Sequence, residues 1–128
     1  MTSNKQLLSI VEVGGYPDFS ELYQQAGFQV ETAKTMRKAL SVLKKAFPAV
    51  IIAEFNFAPK YGSFISNVDS LMALIVGKSP ITQLVLFVHK EEQHHLQRLC
   101  QRFPNIQLTT LTYPIQTDKL QQSLQQIK

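Results

Sequence analysis

The sequence predicts an α/β fold, a three-layer sandwich in which five βα units build a five-stranded parallel sheet covered by helices on both faces. Short, nearly continuous apolar runs recur along the chain, as strands buried on both faces of a parallel sheet require. Between them lie segments whose apolar residues return at helical spacing. The connections are short, and right-handed crossovers of such units bring the strands into one sheet. At 128 residues, the chain is long enough to cover five strands on both faces as a single domain spanning residues 1–128.

Leu7 to Val13 (LLSIVEV) is the first strand, stopped by Gly14-Gly15. Phe19, Leu22, Tyr23 and Ala26 mark a helix that Gly27 ends, and Phe28 to Thr32 follows as the second strand. From Thr35 onward, Met36, Ala39, Leu40, Leu43 and Phe47 form one face of a second helix, with Arg37, Lys38, Lys44 and Lys45 mostly around the other side, until Pro48. Ala49 to Phe57 opens with the most β-prone stretch and is the natural central strand, with Glu54 where it runs out. After the turn-rich Ala58 to Ser63, Phe64 to Val76 reads as a strongly apolar third helix before Gly77. Leu84 to Val88 is the fourth strand, Glu91 to Phe103 the fourth helix, Ile106 to Leu111 the fifth strand, and Thr117 to Ile127 a closing helix capped by Thr117. Ligands of such sheets bind beyond the carboxyl ends of the strands, here Glu12 to Asp18, Glu54 to Gly62, Val88 to Glu92 and Thr112 to Ile115.

Composition removes several function classes. Apolar residues are 45% and charged residues 17%, a globular balance, and no apolar run approaches the roughly 18 residues that span a bilayer. Met1 to Gln6 lacks the features of a secretion signal, so a cytoplasmic location is expected. Cys100, the single cysteine, falls in a helical stripe with Leu96, Leu99 and Phe103 and reads as a core thiol. The formal charge is +4, but the bases are scattered. Only Lys34 to Lys45 is dense, and that stretch reads as a solvated helix face, so nucleic acid is not the expected partner. His89, His94 and His95 with Glu91 and Glu92 read as a polar helix start, and no metal is expected there. No nucleophile sits in a G-x-S-x-G setting, and Gly14-Gly15 lacks the third glycine of a dinucleotide loop. Neither an enzymatic activity nor a cofactor is expected.

Three landmarks carry a resemblance. Pro48 to Glu54 (PAVIIAE) looks like a Pro-Asp, an aliphatic run and a phosphoacceptor Asp; Gly62 sits like the glycine of the following loop; Tyr113-Pro114 falls where a Lys-Pro would stand. In these features the chain resembles, over essentially its whole length, the receiver domains of two-component response regulators, which have the flavodoxin-like fold. The resemblance implies a site in which three acids hold Mg²⁺ and one takes the phosphoryl group, a Thr or Ser ends the fourth strand and a Lys ends the fifth. Here Glu12 matches the first acid of a pair, Val13 replaces the second, Glu54 replaces the acceptor, Val88 replaces the hydroxyl residue and Tyr113 the lysine, while Thr110 holds a position that is often aromatic.

Mg²⁺ needs near-octahedral oxygen ligation, and a site that exchanges a carboxylate for an isopropyl group binds it poorly. The extra methylene of Glu54 displaces its carboxylate by about 1 Å, and in-line transfer tolerates little misplacement. The expectation is therefore a pseudo-receiver signalling module without phosphotransfer. Glu54 reads either as a standing mimic of the phosphorylated state or, slightly favoured, as a solvated strand-end carboxylate. Tyr16, Phe55, Phe57, Tyr61, Phe64 and Tyr113 are expected around the mouth of the former acidic pocket. A protein partner is expected, with a possible homodimer through the face of the fourth helix, fifth strand and fifth helix, where Gln93, Gln97, Gln101, Thr110, Thr112 and Gln116 are rich in amides. The alternative is a sensor in which Glu12, Glu54 and Tyr113 line a pocket for a small polar molecule. An enzyme using Glu12 and Glu54 as acid and base is a weaker third reading.

Overall fold

A computed structural model of the chain describes residues 5–56 and 67–127. The strands are β1 (Lys5–Ile10), β2 (Phe28–Ala33), β3 (Val50–Glu54), β4 (Gln83–Val88) and β5 (Gln107–Thr112). The helices are α1 (Ser20–Gln25), α2 (Met36–Leu43), α3 (Asp69–Lys78), α4 (Gln93–Arg102) and α5 (Thr117–Ile127). All pairings are parallel, in the order β2-β1-β3-β4-β5. The predicted sandwich of five βα units is the observed fold.

Alternation along the strands separates two cores. Leu8, Ile10, Ile51, Ala53, Leu84, Leu86 and Val88 pack with Ala39 and Leu43 of α2, Leu71, Met72 and Ile75 of α3, and Leu96 and Leu99 of α4. Leu7, Val50, Ile52, Val85 and Phe87 pack on the other side with Tyr23 of α1 and Leu120 and Leu124 of α5. β3 is buried at every position, because both of its faces are covered. Its composition, aliphatic up to Glu54, follows from that.

Several boundaries differ from the sequence reading. β1 ends at Ile10, three residues before the predicted Val13. Val11 N–H still bonds the carbonyl of Ala33 (2.8 Å), but the next amides turn away from the sheet to a side chain. β3 stops at Glu54 because the Asn56 amide is taken by Asn67 Oδ1 (2.7 Å) in place of a strand partner. α3 starts at Asp69, later than the predicted Phe64; Phe57, Tyr61, Gly62 and Phe64, with the rest of 57–66, lie outside the described residues. The fourth helical segment opens with a 3₁₀ turn, Lys90–Glu92, before α4. α2 ends at Leu43, four residues before Phe47. Among the described residues no helix is long and apolar enough to cross a membrane.

Candidate functional site

Side chains two apart share a face, so Glu54 continues the row of Val50 and Ile52 and points to the side covered by α1 and α5. It is 1% exposed, which corrects the reading of a solvated carboxylate. The segment after β1 wraps it. Val13 N–H donates to Oε1 at 2.9 Å, and Gly14 N–H (3.1 Å) and the Tyr16 hydroxyl (2.7 Å) donate to Oε2. Two positive-φ glycines, Gly14 at 78° and Gly15 at 87°, let the backbone curl so that consecutive amides face one anion, a nest-like arrangement that residues with a Cβ would adopt only with strain. Val13 contributes only its backbone; its isopropyl group is 78% exposed.

Asn67 joins this loop to the end of β3. Its Nδ2 donates to Glu12 Oε1 and to the Glu54 carbonyl, both at 2.6 Å. Its Oδ1 accepts from Asn56 N–H, and its own amide bonds the Asn56 carbonyl at 3.1 Å. Glu12 and Glu54 are thereby brought to one place, but each is bound to protein donors.

An aromatic group backs the carboxylate. Tyr16 meets Phe87 edge-on with ring centroids 5.0 Å apart and lies 6.2 Å from Tyr113, which stacks on His89 at 4.2 Å. Phe87 is the register partner of Glu54, so this apolar floor comes from β4. Burial, then the hydrogen bond to Glu54 and the charge of Glu54, raise the Tyr16 phenol well above its ordinary range. Tyr113, raised first by burial and then by the Glu54 charge, is pushed up to about 12. Phe55 does not join them: it is buried on the opposite face, in the core shared with α3 and α4.

The remaining predicted site residues lie elsewhere. Val88 is fully buried on the α4 side, and with Thr110, Gln97 and Cys100 it lines a cavity of about 510 Å³ between α4 and β5. Cys100 is half-buried and packs against the core as read from its stripe; burial raises its thiol. Gln93 Nε2 reaches Thr112 Oγ1 at 3.3 Å across the same face. The six positions of the resemblance therefore fall into two groups, Glu12, Val13, Glu54 and Tyr113 at the strand ends and Val88 with Thr110 under α4. Asn67 was missed, because a single Asn between a loop and an apolar helix has no periodic signal. The role of Tyr16 could have been suspected from Gly14-Gly15 two residues before it.

No protein-family model matches the sequence, and no curated protein matches it. Solved structures do. The chemotaxis response regulator CheY4 of Vibrio cholerae superposes with a TM-score of 0.73 at 21% identity, covering 98% of this chain and 100% of that one. A response regulator receiver domain protein from Clostridium thermocellum gives 0.73 at 16% identity over 96% and 93% of the two chains. NtrX from Brucella abortus gives 0.73 at 15% identity over 98% of this chain, which spans only 27% of NtrX.

The chain has the receiver fold. Its strand-end site, however, does not fit the Mg²⁺ that receivers imply. Both oxygens of Glu54 accept from N–H or O–H donors, and the amides that face it present positive dipoles where a cation would have to sit. Val13 offers no oxygen from its side chain, and Glu12 Oε1 is engaged by Asn67. Among the described residues no group of three His, Cys, Asp or Glu side chains is placed to hold a metal ion.

Proposed function

We propose that this chain is a pseudo-receiver, a signalling module that works through protein contact and takes no phosphoryl group. The observation that carries the reading is the enclosure of Glu54: it is buried, and three protein donors engage its two oxygens, so a metal ion or a phosphoryl group would first have to displace them. Its negative charge is spent inside the loop after β1, so it does not act as an exposed mimic of a phosphoryl group. A small-molecule sensor at this position would have to displace the same three donors, which disfavours it.

The contact face we assign is that of α4, β5 and α5, in homodimers or with a regulatory partner. β5 is an edge strand, so its outer backbone groups are available to a neighbour. Gln93, Gln97, Gln101, Thr110, Thr112 and Gln116 are all exposed on this face, an uncharged donor and acceptor surface suited to a self-complementary contact. Light scattering at high micromolar concentration should give a dimer mass that acetyl phosphate with Mg²⁺ leaves unchanged. A monomer would remove the homodimer, and a mass that responds to acetyl phosphate would remove the phosphorylation-independent reading.

A further inference from the structure

We propose that the solvent face of α2, together with the cavity below its C-terminal end, binds an acidic protein segment that anchors one apolar side chain. The inference does not rest on the reading of Glu54.

Charge is the first ground. The chain has 13 bases and 9 acids. Lys34, Arg37, Lys38, Lys44 and Lys45 lie in a stretch, residues 32–53, that contains no Asp or Glu. The other 8 bases and 9 acids leave the rest of the molecule at −1, so the net positive charge of the protein resides on this surface. All five side chains are exposed. Arg37, Lys38, Ser41, Lys44 and Lys45 recur at intervals of three and four, which sets them on one face of α2 opposite the buried Ala39 and Leu43.

Folding does not explain the signs of these charges. A helix N-terminus is the positive end of its dipole and favours acids, yet the first turn of α2 contains no acid and carries Arg37 and Lys38. Thr35 caps the helix by accepting from Lys38 N–H at 3.0 Å, so Lys38 occupies the position where a capping box places Glu or Gln. Lys34, immediately before the cap, adds a further positive charge at this same helix end. Cations kept where the helix disfavours them point to a partner that supplies the opposite charge.

The cavity selects the class of partner. It holds about 510 Å³ at the foot of α2 and is lined by Leu7, Leu8, Val42, Ala46, Phe47 and Pro48, with Gln6, Glu31 and Lys45 also at its wall. An aliphatic or aromatic side chain fits the six apolar residues of this lining, whereas a nucleic-acid backbone would meet only Lys45 as a cation there and would face Glu31 as well. The exposed residues from Lys34 to Ala46 include no aromatic ring for base stacking and no Asn or Gln for base edges.

The test uses the full chain and fluorescence anisotropy at physiological ionic strength. The probes are a Glu-rich peptide with one central Phe, the same peptide with Ser in its place, a DNA duplex and anionic phospholipid vesicles. The Phe peptide should bind about 10-fold or more tighter than the Ser peptide, with affinity that falls as salt rises. Arg37→Glu with Lys38→Glu should weaken that binding at least about 10-fold while raising the Tm of the free protein by about 2–5 °C. Equal binding of the two peptides, tighter binding of DNA or vesicles, no binding of any probe, or a Tm lowered by the double exchange would each overturn the proposal.

Discussion

Glu54→Ala is expected to destabilise the protein by about 3 kcal/mol, since a buried donor left without its acceptor costs about 1–3 kcal/mol and three donors converge on this carboxylate. The exchange strands the amides of Val13 and Gly14 and the hydroxyl of Tyr16, and water entering the vacated space recovers only part of the loss. For a domain of this size the Tm should fall by about 10 °C. The direction is informative because a buried carboxylate surrounded by other acids would behave in the opposite way: its removal would relieve repulsion and stabilise the fold. Here Glu12 is held by Asn67, and three donors face the Glu54 carboxylate. Thermal unfolding of the variant decides the matter, and a Tm that is unchanged or raised would mean that the loop after β1 does not depend on this carboxylate.

Tyr16→Phe isolates one of the three bonds. The ring and its contacts with Phe19, Phe87 and Tyr113 remain, so the expected loss of about 1.5–2 kcal/mol reports a hydrogen bond to a charged group with little change in packing. The same residue is one of three, with Tyr23 and Tyr113, whose raised phenols make the fold sensitive to alkali. Tyr16 and Tyr113 both have their phenols raised in the folded state, so the folded protein binds protons that the unfolded chain releases near the ordinary tyrosine value of 10.0. The stability this contributes is complete below that pH and declines as pH rises above it, through about 12 for Tyr113. Chemical denaturation repeated from neutral pH to above pH 10 should give a falling stability in the parent protein and a shallower fall in Tyr16→Phe. Parallel profiles would show that the hydroxyl is not coupled to folding.

The legibility of the chain followed from the range of the interactions involved. β3 and β4 were readable because burial on both faces demands an unbroken aliphatic run, and a run of that kind in Val50 to Ala53 or Leu84 to Val88 leaves no competing pattern. The helices α2, α4 and α5 each carry one apolar stripe, so their existence was also plain, although their ends were not. The end of β1 was misplaced for a different reason. Val11 to Val13 has strand-like composition, but only the Val11 amide stays with the sheet, and that of Val13 binds a carboxylate 41 residues away in sequence; local periodicity contains no record of so distant a partner. The same limit hid Asn67, whose four bonds link segments 11 and 55 residues apart. By contrast, the separation of Val88 from Glu54 was implicit in the alternation of β4: Leu84, Leu86 and Val88 form one row and Phe87 the other. Landmarks of the receiver resemblance pointed to Glu54 and Tyr113, which the fold brings to the same end of the sheet, but they gave no sign of the donors that surround Glu54. On the reading proposed above, backbone amides and a tyrosine stand in place of a cation and a phosphoryl group at this carboxylate.

That replacement is most directly tested by a two-dimensional amide NMR titration, first with Mg²⁺ and then with beryllofluoride, which stands in for a phosphoryl group on a carboxylate. The amides of Val13 and Gly14 are bonded to Glu54 and are therefore the reporters. Unmoved resonances of these two residues and of Tyr16 throughout both additions are the predicted result; saturable shifts there would show that the donors can be displaced and that the site still accepts a metal ion and a phosphoryl analogue.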